Sequence, residues 1–540
     1  MTAYVVTTYS TTLDFPTLLA FDAVSITAIG GIFAPTTNLA GGGNNIISIA
    51  GTVELNTIAL FGDDSIRIAA SGSVYTGSFS AAISTGSGGG SSVVDNAGTI
   101  TSAWGEAVFA SGAFDSIRNA GQMSGYQGVR PGSDGDSNQS LLNSGQIYGT
   151  SQAVSILGSL AKVINTGVIE SGHGAAISVY GEFNGATSQA TQQVIANLGT
   201  ITTASDYGIY VALNLTDSMF SLTNSGTIFS RSFALISLGQ SDDVVVNTGT
   251  IMGAVDLGDG DDRYKGQGGM LSGTLVLGNG NDVADLRQGI VAGGVAGGAG
   301  YDTYYLSDSA TVLIEYDDQT TDTVFAACNY RLAAHIETLT LLDGGAYSGD
   351  GNSAANLITG NASANRLTGL DGLDTVPGGL GDDRILGGTE NDVLNGDAGD
   401  DAIKGGSGND TLRGGDEDDV LTGGEGRDNL GGDAGAAVFV FARLAHSGTT
   451  ATKADSIVDF TSGDDLTDLS RIDARSTNPT PNDAFTFIGS AAFSAVAGQL
   501  RFSVVGTYVL VEMDVNGDSV VDSAIRLNGL TGLNASDFVL

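Results

Sequence analysis

The sequence predicts an all-β chain: an N-terminal parallel β-solenoid, then a parallel β-roll, then a C-terminal β-sandwich-like domain. Three observations predict it. An Asn-x-Gly-x-Ile signature returns every 22 to 32 residues through the first half, and a Gly- and Asp-rich period of nine holds phase over residues 351–440. Apolar residues alternate along short segments with no helical period between them.

Composition narrows the classes of function. The 540 residues include 82 glycines and 6 prolines, and 60 acidic against 20 basic side chains give a net charge of −40. Such a chain lacks the basic footprint a phosphate backbone needs, which excludes nucleic acid as a partner. The 41% apolar content separates it from acidic disordered chains. A single cysteine, Cys328, excludes an internal disulfide framework, so stability must come from repeats or metal. Residues 1–15 lack the basic start and apolar run of a cleavable leader, and no run of about 18 apolar residues occurs, so neither that export route nor a membrane span is expected.

Residues 1–44 are expected to cap the solenoid, which occupies 45–252. Its copies are Asn96-Gly98-Ile100, Asn119-Gly121-Met123, Asn143-Gly145-Ile147, Asn165-Gly167-Ile169, Asn197-Gly199-Ile201, Asn224-Gly226-Ile228 and Asn247-Gly249-Ile251, with degenerate ones at Gly51-Val53 and Gly72-Val74. An apolar residue two places before each Asn (Val94, Ile117, Leu141, Val163, Ile195, Leu222, Val245) makes each motif a strand with alternating faces. Coils stacked about 4.8 Å apart would let the Asn amides bond to one another, and the Gly is expected at a turn with positive φ.

Residues 253–350 read as transitional coils with a period of 20, carrying Gly258-x-Gly260-x-Asp262, Gly278-x-Gly280-x-Asp282 and Gly298-x-Gly300-x-Asp302, after a weaker precursor at residues 239–243. In 351–440 each nonapeptide follows Gly-Gly-x-Gly-x-Asp-x-apolar-x, with Ile385, Leu394, Ile403, Leu412, Leu421 and Leu430 at the apolar place. Six glycine-rich residues form a tight turn whose carbonyls converge, the Asp adds a hard anionic oxygen, and Ca²⁺ takes such ligands. Turns would alternate between two edges, so that residues 18 apart share one: Asp374, Asp392, Asp410 and Asp428 on the first, Asp383, Asp401 and Asp419 on the second.

These carboxylates are the candidate ligands, together with Asp262, Asp282 and Asp302. The turn glycines completing the sites are Gly378, Gly379, Gly381, Gly387, Gly388, Gly396, Gly399, Gly405, Gly406, Gly408, Gly414, Gly415, Gly423, Gly424 and Gly426. Glu390, Asp397 and Glu417 replace glycines, Ala437 replaces an Asp, and Asn356 and Asn365 stand at Asp positions in the opening copies. At ten times its dissociation constant each ion contributes about 1.4 kcal/mol. Extracellular calcium modules work at about 10⁻⁴ to 10⁻³ M, so the repeats are expected to fold outside a cell and not inside.

From about Gly351 onward the chain resembles the C-terminal region of serralysin-like RTX proteins: nonapeptides, then residues 437–441 (AVFVF), 455–460 (DSIVDF) and 468–473 (DLSRID), with the domain expected at 441–540. The acidic-then-apolar end, Ser536-Asp537-Phe538-Val539-Leu540, is similar to the tail of type I secretion substrates. The resemblance implies several bound calcium ions, recognition by a type I secretion apparatus and an extracellular, bacterial location. It implies no reaction. His173, His335 and His446 are the only histidines and none lies in a His-Glu-x-x-His motif, which excludes a zinc metalloprotease. Asp514-x-Asn516-Gly517-Asp518 with Asp522 is either a further calcium loop or an acidic hairpin turn; Ser519 and Ile525 break the EF-hand pattern.

The Asn-x-Gly-x-Ile coils are similar to repeats of secreted bacterial adhesins and passenger domains. That likeness implies a cell-surface or matrix adhesin or structural protein, with surface glycan or matrix polysaccharide as partner. The competing reading is a calcium-dependent polysaccharide lyase or uronate C5-epimerase acting on the solenoid face, with Trp104, Tyr126, His173, Asp206, Tyr207 and Arg231 along one corner. The absence of lysine before Lys162 counts against a cationic groove for acidic polysaccharide, and the sequence assigns no catalytic residue.

Overall fold

The structure is a computed structural model that describes residues 3–6, 23–26, 31–40, 46–60, 63–77, 79–85, 91–110, 115–131, 139–157, 161–180, 192–213, 218–475 and 483–540. Most of the opening 15 residues and much of the expected cap lie outside them. Among the described residues there is no α-helix, and only two short 3₁₀ turns interrupt the strands. The chain divides into two units, Met1–Asp302 with Thr311–Asp318, and Thr303–Ala310 with Gln319–Leu540.

The first unit is a parallel solenoid in which the repeated coil has three strands. In one coil these are Ala161–Asn165, Val168–Ser171 and Ile177–Tyr180. Each pairs in parallel with its counterpart in the next coil, as in Val163 with Ile195, Ile169 with Ile201 and Ile177 with Ile209. Registration places like side chains in columns. Val94, Ile117, Leu141, Val163, Ile195, Leu222 and Val245 form one buried column, and Ile100, Met123, Ile147, Ile169, Ile201, Ile228 and Ile251 another. Each fully buried Ile or Leu contributes about 1.5–3 kcal/mol, so the coil core alone is substantial.

The Asn column is buried and continuous. Each Nδ2 donates to the Oδ1 one coil on, from Asn96 through Asn119, Asn143, Asn165, Asn197 and Asn224 to Asn247, at 2.8–2.9 Å. The last amide donates to the buried Tyr264 hydroxyl at 3.4 Å. In the preceding coil Ile68 takes the Asn place, opposite Asn96.

The signature glycines serve a different purpose from the one expected. None of the seven has a left-handed φ. A Cβ on Gly98, Gly121, Gly145, Gly167, Gly199, Gly226 or Gly249 would lie 2.0–2.2 Å from the carbonyl oxygen of the matching glycine one coil earlier. Close stacking of backbones, not turn conformation, demands glycine there.

The second unit contains the roll. Strands Thr375–Leu380, Val393–Ala398, Thr411–Asp416 and Asn429–Ala434 form one parallel sheet, and Arg384–Thr389, Ala402–Ser407 and Val420–Glu425 lie in the other, each paired 18 residues on. Val376, Leu394, Leu412 and Leu430 face in from one sheet, Ile385, Ile403 and Leu421 from the other. One apolar side chain per nine residues is a thin core, since ordering a single residue costs about 1–2 kcal/mol in backbone entropy.

Beyond the roll, Asp455–Ile457 extends the first sheet beside Asn429–Ala434, and Val438–Val440, Leu466–Asp468 and Phe538–Val539 continue the second. An antiparallel meander of Gln499–Val505, Tyr508–Asp514 and Ser523–Asn528 completes the unit. The final strand is anchored by buried Asp537, whose carboxylate accepts from Ser462 Oγ and the Asn534 amide, and by Phe538 against Phe487.

Candidate metal centre

The nonapeptide turn uses its glycines in two ways. The second and third glycines of the motif have left-handed φ, as at Gly379 (107°) and Gly381 (95°), Gly406 (127°) and Gly408 (135°), Gly424 (119°) and Gly426 (139°). Where the sequence substitutes them the conformation persists: Leu370, Glu390, Asp397, Glu417 and Asp433 hold φ between 60° and 89°, a strained arrangement for these side chains. The first glycine has no such φ. A Cβ there would lie 2.1–2.4 Å from Oδ2 of the Asp in the same turn, for Gly378, Gly387, Gly396, Gly405, Gly414 and Gly423 alike. It leaves room for the carboxylate.

The carboxylates stack along two edges with the expected spacing of 18. Asp374, Asp383, Asp392, Asp401, Asp410, Asp419 and Asp428 are each at most 2% exposed. In each stack Oδ1 accepts the backbone N–H of the Asp one turn earlier, as Asp392 does from Asp374, Asp410 from Asp392, Asp428 from Asp410, Asp401 from Asp383 and Asp419 from Asp401, at 2.7–3.0 Å. Oδ2 of all seven is buried without a hydrogen-bond donor. Burial, with added repulsion from neighbouring carboxylates, pushes Asp374 and Asp401 up to about 6 and Asp383, Asp392, Asp419 and Asp428 up to about 7; burial also raises Asp410. Seven acceptor oxygens in two buried acidic columns fit hard divalent cations, which would remove both the burial penalty and the repulsion.

Residues 350–385 match the RTX calcium-binding nonapeptide repeat (4 copies), and residues 376–540 match the Peptidase M10 serralysin C terminal family. Residues 350–540 of the chain thus carry RTX nonapeptide repeats followed by a serralysin-type C terminus. Its RTX repeats bind Ca²⁺, and such a pairing is typical of extracellular proteins exported by type I secretion. Among solved structures, the AlgE6R3 subunit from the Azotobacter vinelandii mannuronan C5-epimerase is 25% identical over 29% of this chain and 77% of its own, with a TM-score of 0.17. No curated protein matches this chain. No helix of the described residues is long and apolar enough to cross a membrane.

The RTX columns extend beyond the nonapeptides. Asp428 N–H donates to Oδ1 of Asp455, which is fully buried, has an Oδ2 without a donor and is pushed up to about 8 chiefly by burial and then by Asp428. On the other edge the Ala437 amide donates to Asp465 Oδ1, so the position that lost its Asp is still capped from the next strand. Both break the 18-residue spacing of an edge, lying 27 and 28 residues after the groups they serve, so that spacing does not reveal them. At the opening of the roll Asn356 and Asn365 are satisfied differently: their Oδ1 atoms accept from the Asn352 and Asn361 amides, and their Nδ2 atoms donate to backbone carbonyls of Ile336 and Tyr347. These two places need no ion.

The Asp514 loop is a hairpin turn between Tyr508–Asp514 and Ser523–Asn528. Its carboxylates are consumed locally: Asp514 accepts from the Gly517 and Ser519 amides, and Asp522 from the Val515 amide and Asn516 Nδ2. Of the solenoid corner, Trp104, Tyr126, His173, Asp206, Tyr207 and Arg231 are all exposed. Trp104 lies against Phe79 of the preceding coil with ring centroids 6.0 Å apart, and the Tyr126 amide donates to the carbonyl of Gly105. Tyr207 instead stacks on Phe233, 6.2 Å away, and meets the Tyr210 edge.

Proposed function

We propose that this is a type I secreted surface or matrix protein whose roll folds on extracellular Ca²⁺ and presents the solenoid as an adhesive or structural body. The proposed ligands are the seven repeat Asp side chains with the carbonyls of their glycine turns. The observation that carries the reading is the set of buried Oδ2 atoms without donors: a column of that kind is costly until a cation enters it. At cytosolic calcium the thin roll core leaves the repeats unfolded, and millimolar calcium outside the cell folds them.

The adhesive part of the proposal draws on the exposed aromatic run of Phe79, Trp104 and Tyr126, at 84, 61 and 53% exposure, on a corner of successive coils. Flat apolar rings with polar surroundings stack on sugar rings as they do on other planar or apolar faces. Proton NMR of matrix and surface polysaccharides with protein in millimolar calcium tests it. Line broadening that Trp104→Ala removes is expected; no binding to any member refutes the adhesive reading, and new unsaturated or C5-inverted sugar signals would replace it with a lyase or epimerase.

A further inference from the structure

We infer that the 20-residue coils of the first unit carry a second cation column, on one corner only, built from the turns at 258–262 and 278–282. It lies outside the residues matched by either family. Only the choice of ion rests on the calcium reading of the nonapeptides.

The two kinds of turn share one construction. Gly258 and Gly260, Gly278 and Gly280, and Gly298 and Gly300 all have left-handed φ between 92° and 146°, and the Asp follows two places after the second, as in the nonapeptide. The Asp262 N–H donates to Asp282 Oδ1 at 2.7 Å and the Asp282 N–H to Asp302 Oδ1 at 2.8 Å. The residue before the Asp forms an outer rung running the other way: the Asn281 amide donates to Asp261 Oδ1, as the Asp400 amide does to Asp382.

A shared turn is not yet a ligand. The observation that points to one is that Asp262 and Asp282 are at most 1% exposed and that Oδ2 of each is buried without a donor. The place of the first nonapeptide glycine is taken here by Leu257 and Leu277, both fully buried, which puts an apolar wall in these turns. An ionised carboxylate beside such a wall requires a counter-charge, whereas the donors to Asp262 and Asp282 are the neutral backbone amides of Asp243 and Asp262. Asp243 heads the column: its amide donates to Asp262 Oδ1 at 2.7 Å, and its own Oδ1 accepts from Ser241. Burial first, and then the adjacent carboxylates, push Asp282 up to about 7 and Asp262 up to about 10.

Equilibrium dialysis with ⁴⁵Ca²⁺ on the full chain tests the inference. Asp262→Asn/Asp282→Asn is expected to lose about two ions, and Asp392→Asn/Asp410→Asn to lose a separate set. Loss from the second variant alone overturns the solenoid column and leaves the roll intact; loss from neither overturns both. Because the first variant risks unfolding its coils, hydrogen exchange of residues 257–285 is followed in the Asp392→Asn/Asp410→Asn chain. Millimolar Ca²⁺ is expected to slow exchange there at least tenfold, and unchanged exchange refutes the column.

Discussion

The solenoid and the roll stack parallel strands, and each runs a polar column through its interior, but one column is made of Asn and the other of Asp. An amide is donor and acceptor at once, so Asn96 to Asn247 satisfy one another and the series ends on Tyr264. A carboxylate only accepts. The roll therefore fills one oxygen of each Asp from the backbone and leaves the other without a donor. One oxygen-for-nitrogen exchange per repeat turns a self-sufficient scaffold into a conditional one.

The largest test of this contrast is removal of calcium. Chelation is expected to abolish protection of residues 375–434 in hydrogen exchange while residues 93–251 stay protected; loss of both together would show that the amide column does not stand alone. Next in size, Asn165→Asp places a carboxylate where an amide must donate to Asn197, leaving a buried charge without compensation. A destabilisation of about 3–5 kcal/mol is expected, read as a lower urea midpoint of the solenoid phase.

A smaller effect separates the regions by pH. Without calcium, burial pushes Asp374 up to about 6 and Asp392 and Asp419 up to about 7, above their unfolded values, so the folded form binds more protons. Their contribution is complete below pH about 4 and is lost as pH rises through about 7. Calcium needs the ionised form and binds more tightly across the same interval. Circular dichroism of the chelated roll should thus show more structure at pH 4.5 than at 7.5, and calcium titrations the reverse order of affinity. The smallest effect concerns strain: Glu417→Gly relieves a φ of 80° and is expected to stabilise the calcium-loaded roll by about 1 kcal/mol in thermal melts.

Much of this was legible in the sequence because stacking converts position into period. The Asn column, the 18-residue pairing and the alternate edges follow from spacing alone. Asp455 and Asp465 escaped because they join the edges after jumps of 27 and 28 residues, where a strand from the C-terminal region replaces a turn. The two uses of glycine escaped for another reason: a positive φ and a crowded Cβ select the same residue, and only coordinates separate Gly379, held by its φ, from Gly378, held by its neighbour's carboxylate. Paired turns in the 20-residue coils were visible as Gly-x-Gly-x-Asp, but the burial of Asp262 and Asp282 was not.

Both inner columns also have a direction. In each, the earlier member donates and the later one accepts: Asn143 gives its Nδ2 hydrogen to Asn165, and Asp392 gives its amide hydrogen to Asp410. The two ends of the stack are therefore not equivalent. Trimming coils from the start exposes acceptors, which tolerate a missing partner, whereas trimming from the finish strands hydrogens with nowhere to go. Tyr264 and Asp455 stand at the finish of their columns as terminators, so the length of each stack is fixed from its C-terminal side while its N-terminal side is free to be lengthened or shortened by duplication or loss of whole repeats.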